Sequence, residues 1–434
     1  MRPALVLLAL PTAALLAASA AAAQTIAITG GTVYPVSGPR IENGTVLIRD
    51  GRIAAVGRDV AIPAGAQRVD ATGKWVTPGL VNAATQLGVV EIGAVAETRD
   101  VIPSGEDGIS AAFTVWDGFN PASVHLAPAR NGGVTTVGVI PAGGLIAGQA
   151  AIVDLVPDVP TSQMVRRTPA AMVATMAPPG AGGGTGPATR GELQVRLREL
   201  LTDTRAYMRN RAAYERAETR ELAASRADLE AMIPVVEGRL PLLIDADRAS
   251  DIDAALRLAR EFDLRIIVGG GAEAWTMASQ LAAARVPVLT GAMNNIPTSF
   301  AALGSRQENV GLLQRAGVQV AIIGNAGGGD EETFNARNVR YEAGNAVAYG
   351  AEWEAALRAI TLAPAEIFGV ADRIGSLAVG KDANVVIWSG DPFEFQSDAE
   401  QVFIRGRSVK QPSRQDMLME RYKQLPPRYH GPPR

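Results

Sequence analysis

Cysteine is absent from the 434-residue chain, and histidine occurs only twice. The absence of cysteine excludes disulfides, thiolate metal ligands and lipid attachment to a cysteine. His430 lies in a proline-rich stretch, LPPRYHGPP, and His125 lies in NPASVHLAPAR, which we interpret as a packed helix or loop. Zinc sites in proteins are built mainly from several Cys or His ligands. The composition therefore excludes an ordinary zinc site of that kind.

An excess of charge of one sign is also missing. The chain has 41 Lys and Arg against 44 Asp and Glu, which gives a formal net charge of -3 at pH 7. No cluster of basic residues suggests a positively charged groove, which is the usual sign of a nucleic-acid-binding surface. We therefore expect no nucleic-acid partner.

Long hydrophobic runs are confined to the N-terminus. Met1 and Arg2 precede the apolar run PALVLLALPTAALLAASAAAA, which ends in an A-x-A pattern before Gln24. This arrangement predicts a signal peptide over residues 1–23. A membrane anchor is the alternative, because the run approaches the length that spans a bilayer. The alanine-rich second half favours cleavage, so we expect an exported, periplasmic protein with no stable membrane anchor after cleavage.

The two ends of the remaining chain both have a short-strand pattern. TVLIRDGRIAAVG contains Asp50-Gly51 between two apolar runs, which is a strong hairpin signal. GSLAVGKDANVVIWSGDP, from Gly375, has the same texture. Neither end has enough apolar surface to be stable alone. We therefore predict one composite β-sandwich from residues 24–77 and 374–412, followed by a tail over 413–434.

The middle of the chain alternates apolar strands with helical patterns. Strands are predicted at 133–140, 240–246, 264–270, 286–291 and 317–324. Between them, SDIDAALRLAREFD is typical of a helix capped by Ser250. Repeated strand–helix units predict a (β/α)8 TIM-like barrel over residues 78–373, in an α/β protein. A doubly wound sheet is the alternative, although no G-x-G-x-x-G fingerprint supports it.

Two stretches interrupt the alternation. A loop-plus-helix insertion is predicted at about 160–232, where the glycine-rich PPGAGGGTGPATRG precedes a charged helix. A narrow apolar stripe on that helix suits a surface helix lying on the barrel, or else a lid or docking arm. PAGGLIAGQAAIVDL, residues 141–155, is interpreted as a loop whose glycines allow a tight turn or a close approach to a ligand.

Both ends of the barrel region carry long ordered motifs. ATGKWVTPGLVNAATQLG and ALRAITLAPAEIFGVADRIGSLAVGKDANVVIWSGDPFE resemble the amidohydrolase superfamily, especially its imidazolonepropionase-like and prolidase-like members. The resemblance implies a hydrolase acting on carbon–nitrogen bonds other than peptide bonds. It also implies zinc or another divalent metal at the carboxyl ends of the barrel strands, where the metal activates water.

The family's metal positions are altered in this sequence. The two histidines expected at the end of the first strand fall on Ala84 and Gln86, and the next two fall on Asp245 and Gly270. The terminal aspartate, which in the family is a ligand and general base, falls on Asn325. Only Asp245 is still a strong ligand among these five degenerate positions. We therefore predict no metal cofactor and assign no catalytic residue outright.

Nearby carboxylates offer a replacement. Asp245 and Asp247 lie at the end of one predicted strand, and Glu273 begins the helix after the next strand. Such acids could hold Mg²⁺, Mn²⁺ or Ca²⁺, or act as an acid–base pair. The alternative is structural, with the aspartates paired to Arg248 or another arginine and Glu273 capping its helix.

The sequence leaves the activity open between several functions. A degenerate amidohydrolase with weak or no metal-dependent activity is the primary interpretation. The alternatives are a non-catalytic partner of an active paralogue, a ligand-binding module, or a metal-independent enzyme that uses acids at the barrel mouth. A partner role would involve a hetero-oligomer, and a homo-oligomer is also compatible with the sequence.

Overall fold

A sheet built from both chain ends and a barrel between them form the architecture. The computed structural model describes residues 25–103, 108–177, 189–293, 297, 299–324, 334–410 and 412–423. The predicted signal peptide, residues 1–23, lies outside this part of the chain and stays a prediction. Across the described ranges, no helix is long and apolar enough to cross a membrane.

Strands and helices of the described residues are numbered in chain order. The strands are β1 (Thr25–Val33), β2 (Ile41–Arg49), β3 (Arg52–Gly57), β4 (Gln67–Asp70), β5 (Trp75–Pro78), β6 (Leu80–Thr85), β7 (Val134–Val139), β8 (Ile146–Asp154), β9 (Val165–Thr175), β10 (Leu242–Ala246), β11 (Ile266–Gly270), β12 (Val288–Thr290), β13 (Val320–Ile322), β14 (Val385–Trp388), β15 (Ala399–Ile404) and β16 (Arg407–Ser408). The helices are α1 (Leu126–Asn131), α2 (Thr161–Met164), α3 (Arg190–Arg209), α4 (Arg211–Glu215), α5 (Arg226–Val236), α6 (Ala249–Phe262), α7 (Ala278–Ala284), α8 (Asn309–Arg315), α9 (Val339–Ala348), α10 (Trp353–Ala359), α11 (Leu362–Ile367) and α12 (Arg414–Tyr422).

The chain-end sheet joins strands from both termini. Its order is β16-β15-β14-β5-β1-β2-β3, with β4 beside β1. The pairing of β5 with β14 is antiparallel and connects the N-terminal strands to the C-terminal ones. The predicted hairpin is confirmed: β2 and β3 pair antiparallel around Asp50 and Gly51, which both have positive φ. This backbone conformation matches the twist of a two-residue hairpin turn.

The barrel sheet has eight strands in the order β13 to β6, and β6 lies next to β13, so the sheet is nearly closed. Neighbouring strands are parallel except where β8 runs antiparallel to both β7 and β9. The predicted TIM-like barrel is therefore confirmed with one reversed strand. Residues 140–145 connect β7 to β8, and a parallel crossover needs a dozen or more residues. The short connection explains the reversal.

Two sequence interpretations need correction at this point. The stretch 141–155 was expected to be a loop, but Ile146–Asp154 is a buried barrel strand. Its glycines do allow a close approach, but the approaching group is the chain itself, since a Cβ on Gly148 would lie 2.6 Å from the carbonyl oxygen of Phe113. Another barrel strand, β9, lies inside the range 160–232 that was assigned to a loop-plus-helix insertion.

Helix α3 lies on the outside of the barrel. Its buried side chains Leu193, Leu197, Leu200 and Tyr207 belong to the large core between the barrel and its helices. The apolar stripe predicted on this helix therefore faces that core through these four side chains, as expected of a surface helix. The preceding glycine-rich residues 178–188 lie outside the described residues.

The cap predicted for α6 is wrong. The helix begins at Ala249, its N-cap residue is Arg248, and no side chain of that residue caps it. Ser250 is inside the helix. The first amide of α6 is instead satisfied from another part of the chain, as described below.

Candidate functional site at the barrel mouth

The first barrel strand supplies no charged side chain to the mouth. Ala84 is partly buried and packs against the apolar cluster that fills the barrel interior. Gln86 is half-buried just beyond the end of β6. The neighbouring Thr85 donates a hydrogen bond through Oγ1 to the carbonyl oxygen of Gly138, 3.0 Å away on β7. A methyl group and an amide thus stand where the family resemblance implies two histidines.

Asp245 lies near the end of β10 and is exposed. Side chains alternate between the two faces of a strand, so Asp245 shares a face with Leu243. Leu243 belongs to the interior cluster of the barrel. Asp245 is therefore the residue at which the inward face of β10 changes from apolar to charged, at the mouth.

Gly270 brings the end of β11 close to two carboxylates. Its φ is +76°, a conformation that favours glycine. A Cβ placed on Gly270 would lie 2.5 Å from Oδ1 of Asp247 and 3.1 Å from Oδ1 of Asp245. The carboxylates therefore occupy the space into which a side chain at position 270 would project. The structure brings these three predicted positions together.

Asp247 is partly buried beside the end of β11. Its Oδ1 accepts a hydrogen bond from the amide of Ala272 at 3.1 Å. Burial raises the pKa of the Asp247 carboxyl, and the nearby charges of Asp251 and Glu273 raise it further, against the lowering effect of the Ala272 amide. The group therefore holds its proton more tightly than an ordinary aspartate.

Glu273 has a structural role that connects three segments. Its Oε2 accepts a hydrogen bond from the amide of Ala249 at 2.9 Å, and its Oε1 accepts one from the amide of Gly304 at 3.0 Å. The carboxylate thus caps helix α6, which is not the helix that follows it in sequence. Both oxygens are engaged with backbone donors, so Glu273 does not present a free carboxylate edge to the mouth.

Sequence reasoning missed a buried carboxylate, Glu342 on α9. Its Oε2 accepts hydrogen bonds from the amides of Ala292 at 2.6 Å and Met293 at 2.8 Å, directly after β12. A signal was present, because Glu342 lies on the same helix face as Val339, Ala343 and Ala346, which are buried. An acid on an apolar helix face predicts a buried, hydrogen-bonded role.

The other predicted site residues lie elsewhere. His125 is the N-cap residue of α1, and its Nε2 lies 2.9 Å from the carbonyl oxygen of Glu91. Its ring contacts Phe334 edge to face at 4.5 Å. The packed interpretation of His125 is therefore confirmed. Asn325 and His430 lie outside the described residues, as does the acidic stretch 325–332.

The donor set of the mouth does not fit a zinc centre. Within the described ranges, no group of three or more His, Cys, Asp or Glu side chains is arranged to hold a metal ion. Asp245 and Asp247 supply oxygen ligands, but Ala84 and Gly270 supply none. Zinc in hydrolases is held by at least three protein ligands, usually with histidine among them.

Comparisons with known proteins agree on the family. The sequence model described as "Amidohydrolase family" matches residues 251–409. The chain is 46% identical over 63 residues to a 5-methylthioadenosine/S-adenosylhomocysteine deaminase of Symbiobacterium thermophilum. It is 42% identical over 74 residues to an imidazolonepropionase of Geobacillus sp.. Each match covers 14% of this chain, and they cover 14% and 18% of the two relatives' own length.

A solved structure extends the likeness over the whole fold. The amidohydrolase from Thermotoga maritima MSB8 superposes with a TM-score of 0.78 and 28% sequence identity. The superposition covers 88% of this chain and 99% of that one. The resemblance stated from the terminal motifs is thus confirmed at the level of the superfamily.

Proposed function

The chain belongs to the amidohydrolase superfamily, and we propose that it is a degenerate member that does not hydrolyse carbon–nitrogen bonds by the conventional zinc-activated water. The observation that carries this proposal is the packing at Gly270. A side chain there would collide with the carboxylate of Asp247 and would have to adopt a positive φ, so a ligand at this position would displace that carboxylate and strain the backbone. Ala84 stands at a second position where the family resemblance implies a metal ligand, and alanine cannot bind a metal.

The remaining mouth is best suited to binding without metal-dependent chemistry. Its inward strand positions are apolar up to Ala84 and Ile140, and Asp245 provides an exposed charge at the rim. Ligand pockets commonly combine an apolar lining with a few polar groups that fix orientation. We therefore propose that the mouth binds a small molecule, with Asp245 as the polar contact.

One observation favours a second function, metal-independent acid–base catalysis. Asp247 is partly buried with a raised pKa, whereas Asp245 is exposed, and oxygens of both lie close to the same point near Gly270. Carboxylates held in different environments are the usual arrangement for an acid and a base. Loss of turnover in Asp245→Ala on a substrate that wild-type protein converts without added metal would support this function.

Elemental analysis of the purified protein, before and after incubation with Zn²⁺ and Mn²⁺, tests the degenerate site. We expect less than about one tenth of an equivalent of either metal, because a zinc centre needs three or more protein ligands. The Asp245→Ala variant serves as the matched control. One equivalent of metal in wild type that disappears in this variant would contradict the proposal.

A role as partner of an active paralogue is tested separately. Co-purification of a related subunit from the native host would support a hetero-oligomer. A single monodisperse species would leave the small-molecule role as the function of this chain. Neither result depends on the metal content.

A further inference from the structure

A cavity of about 220 Å³ lies where the chain-end sheet meets helix α10. None of the mouth residues described above lines it. The lining residues are Tyr34, Val36, Gly38, Arg40, Glu354, Ala355, Leu357 and Arg358. A cavity of about 150 Å³ can hold benzene. This junction pocket therefore has room for a molecule slightly larger than benzene.

An aromatic cluster supports one wall of the junction pocket. The rings of Tyr34, Trp75 and Trp353 are in mutual contact, with centroid separations of 4.8 Å, 4.8 Å and 5.4 Å. Trp353 also donates a hydrogen bond through Nε1 to Oδ2 of Asp391 at 2.9 Å. Tyr34 is only 5% exposed. These contacts hold the Tyr34 side of the pocket in place.

Val36 lines the pocket in a strained backbone conformation. Its φ is +65°, in the left-handed region that a β-branched residue rarely adopts. Such strain persists only where surrounding contacts hold it, and it concentrates at ligand clamps and other functional positions. The strain is an observation independent of the pocket's volume and charge.

The pocket carries charges of both signs. Arg40 has its Nε 3.4 Å from Glu42, and Arg358 has its Nη2 2.5 Å from Glu366. A guanidinium has five N–H donors, so each arginine keeps donors for a ligand. The side chain of Glu354, one turn before Arg358 on α10, makes no hydrogen bond or ion pair with another described residue.

Tyr34 adds a neutral polar group. Burial raises the pKa of its hydroxyl, against the lowering effect of a hydrogen bond from Arg40. The phenol therefore stays protonated at neutral pH. Val36 and Leu357 provide the apolar part of the lining.

We propose that the junction pocket binds a free amino acid with a small apolar side chain, such as leucine. Its carboxylate would lie at Arg40 and Arg358, since guanidinium groups match carboxylate geometry. Its ammonium would lie at Glu354, and its side chain would contact Val36 and Leu357. A simple carboxylic acid would leave the Glu354 carboxylate without a cation. This site does not depend on the function of the barrel mouth.

Calorimetric titration and thermal denaturation of the mature protein with L-leucine test the proposal. N-acetyl-leucine lacks the ammonium and leucinamide lacks the carboxylate, so both should bind about tenfold or more weakly, as expected when a charge-assisted contact is lost. Glu354→Gln should weaken leucine binding by about tenfold and leave binding of N-acetyl-leucine unchanged. Arg40→Gln should weaken the binding of leucine and N-acetyl-leucine and leave leucinamide unchanged.

Matched controls are available on the same chain. Arg407→Gln changes an exposed arginine of β16, and Asp245→Asn changes the mouth; both should bind leucine as wild type does. The absence of heat and of a rise in melting temperature at about 10 mM leucine, tenfold above a millimolar Kd, would overturn the proposal. Leucine binding by Glu354→Gln or Arg40→Gln as tight as that of wild type would also overturn it, as would loss of binding in Asp245→Asn.

Discussion

At the scale of single residues, Gly270 lets two carboxylates approach the end of a barrel strand. Its positive φ turns the chain at the end of β11, and the missing Cβ leaves room for the carboxylates of Asp245 and Asp247. One of these acids is exposed, and the other is partly buried with a raised pKa. The family resemblance assigns a metal ligand to position 270. In this chain the space at that position is taken by the carboxylates of Asp245 and Asp247.

Asp247→Asn should change how stability depends on pH. Because folding raises the pKa of Asp247, its contribution to stability is fully present below the ordinary aspartate pKa of 3.8 and is lost as the pH rises through the folded pKa. Asparagine stays neutral and keeps an acceptor oxygen for the amide of Ala272. The variant should therefore gain stability relative to wild type as the pH rises, by about 1.4 kcal/mol for each unit of the raised pKa.

Melting temperatures of wild type and Asp247→Asn between pH 4 and pH 8 measure this difference. Asp117→Asn, which changes an exposed carboxylate, is the control. A constant difference between wild type and Asp247→Asn over the whole range would contradict the assignment of a raised pKa.

At the scale of elements, Glu273 connects the segments that follow the strands. It binds the first amide of α6 and the amide of Gly304, so one carboxylate orders two connections at the mouth. An acid is also favourable there because the first turn of a helix carries a partial positive charge. Its position after a strand predicted a catalytic candidate, whereas its contacts are those of a cap.

Glu273→Gln should destabilise the fold without changing a ligand contact. The amide replaces one acceptor oxygen by an NH₂ group, which leaves one backbone donor unsatisfied at a cost of about 1–3 kcal/mol. Urea denaturation monitors the loss, with the exposed Glu97→Gln as control. Unchanged stability together with lost turnover or ligand binding would instead assign Glu273 to the site.

At the scale of the whole molecule, a buried ion network joins the barrel to the chain-end sheet. Arg166 on β9 contacts Asp154 on β8 at 2.6 Å and Asp382 near β14 at 2.5 Å. Arg405, between β15 and β16, also binds Asp154 at 2.8 Å. Burial alone would raise the pKa of Asp382, but hydrogen bonds from Arg373 and Arg166 and their charges bring it below its ordinary value.

Arg166→Met should destabilise the protein strongly. Removing this cation leaves two buried carboxylates short of a partner, which costs about 3–5 kcal/mol. Arg239→Met breaks an exposed pair with Glu237 and should cost no more than about 1 kcal/mol. Thermal denaturation compares the two variants. Equal losses would show that the network does not hold the barrel and the sheet together.

The same lowered pKa of Asp382 gives the network a pH dependence. Folding depresses this pKa, so its contribution to stability is present above 3.8 and is lost as the pH falls through the folded pKa. This dependence is opposite in sign to that of Asp247. Melting curves of Asp247→Asn and Arg166→Met over a range of pH can therefore distinguish the contribution of Asp247 to stability from that of the Asp382 network.

Periodicity and motifs in the sequence predicted the barrel and the sheet built from both chain ends. These features follow from local patterns: buried strands read as continuous apolar runs, and Asp50-Gly51 fits only a tight hairpin. Strand β8 was missed because its glycines are equally typical of a turn. In the structure, Gly148 instead allows the backbone at Phe113 to pack closely against the strand. The direction of β8 is reversed because the connection that joins it to β7 is short.

Tertiary structure alone decided the surroundings of the three candidate acids. The sequence proposed Asp245, Asp247 and Glu273 as equals, since all three lie at or just beyond the ends of strands. Their roles differ because burial and backbone partners come from segments distant in sequence: Gly304 and Ala249 engage Glu273, while Gly270 faces the two aspartates. Glu342 reaches the end of β12 from a helix fifty residues further along. Chemical identity is local in the sequence, but desolvation and hydrogen bonding depend on the folded neighbours.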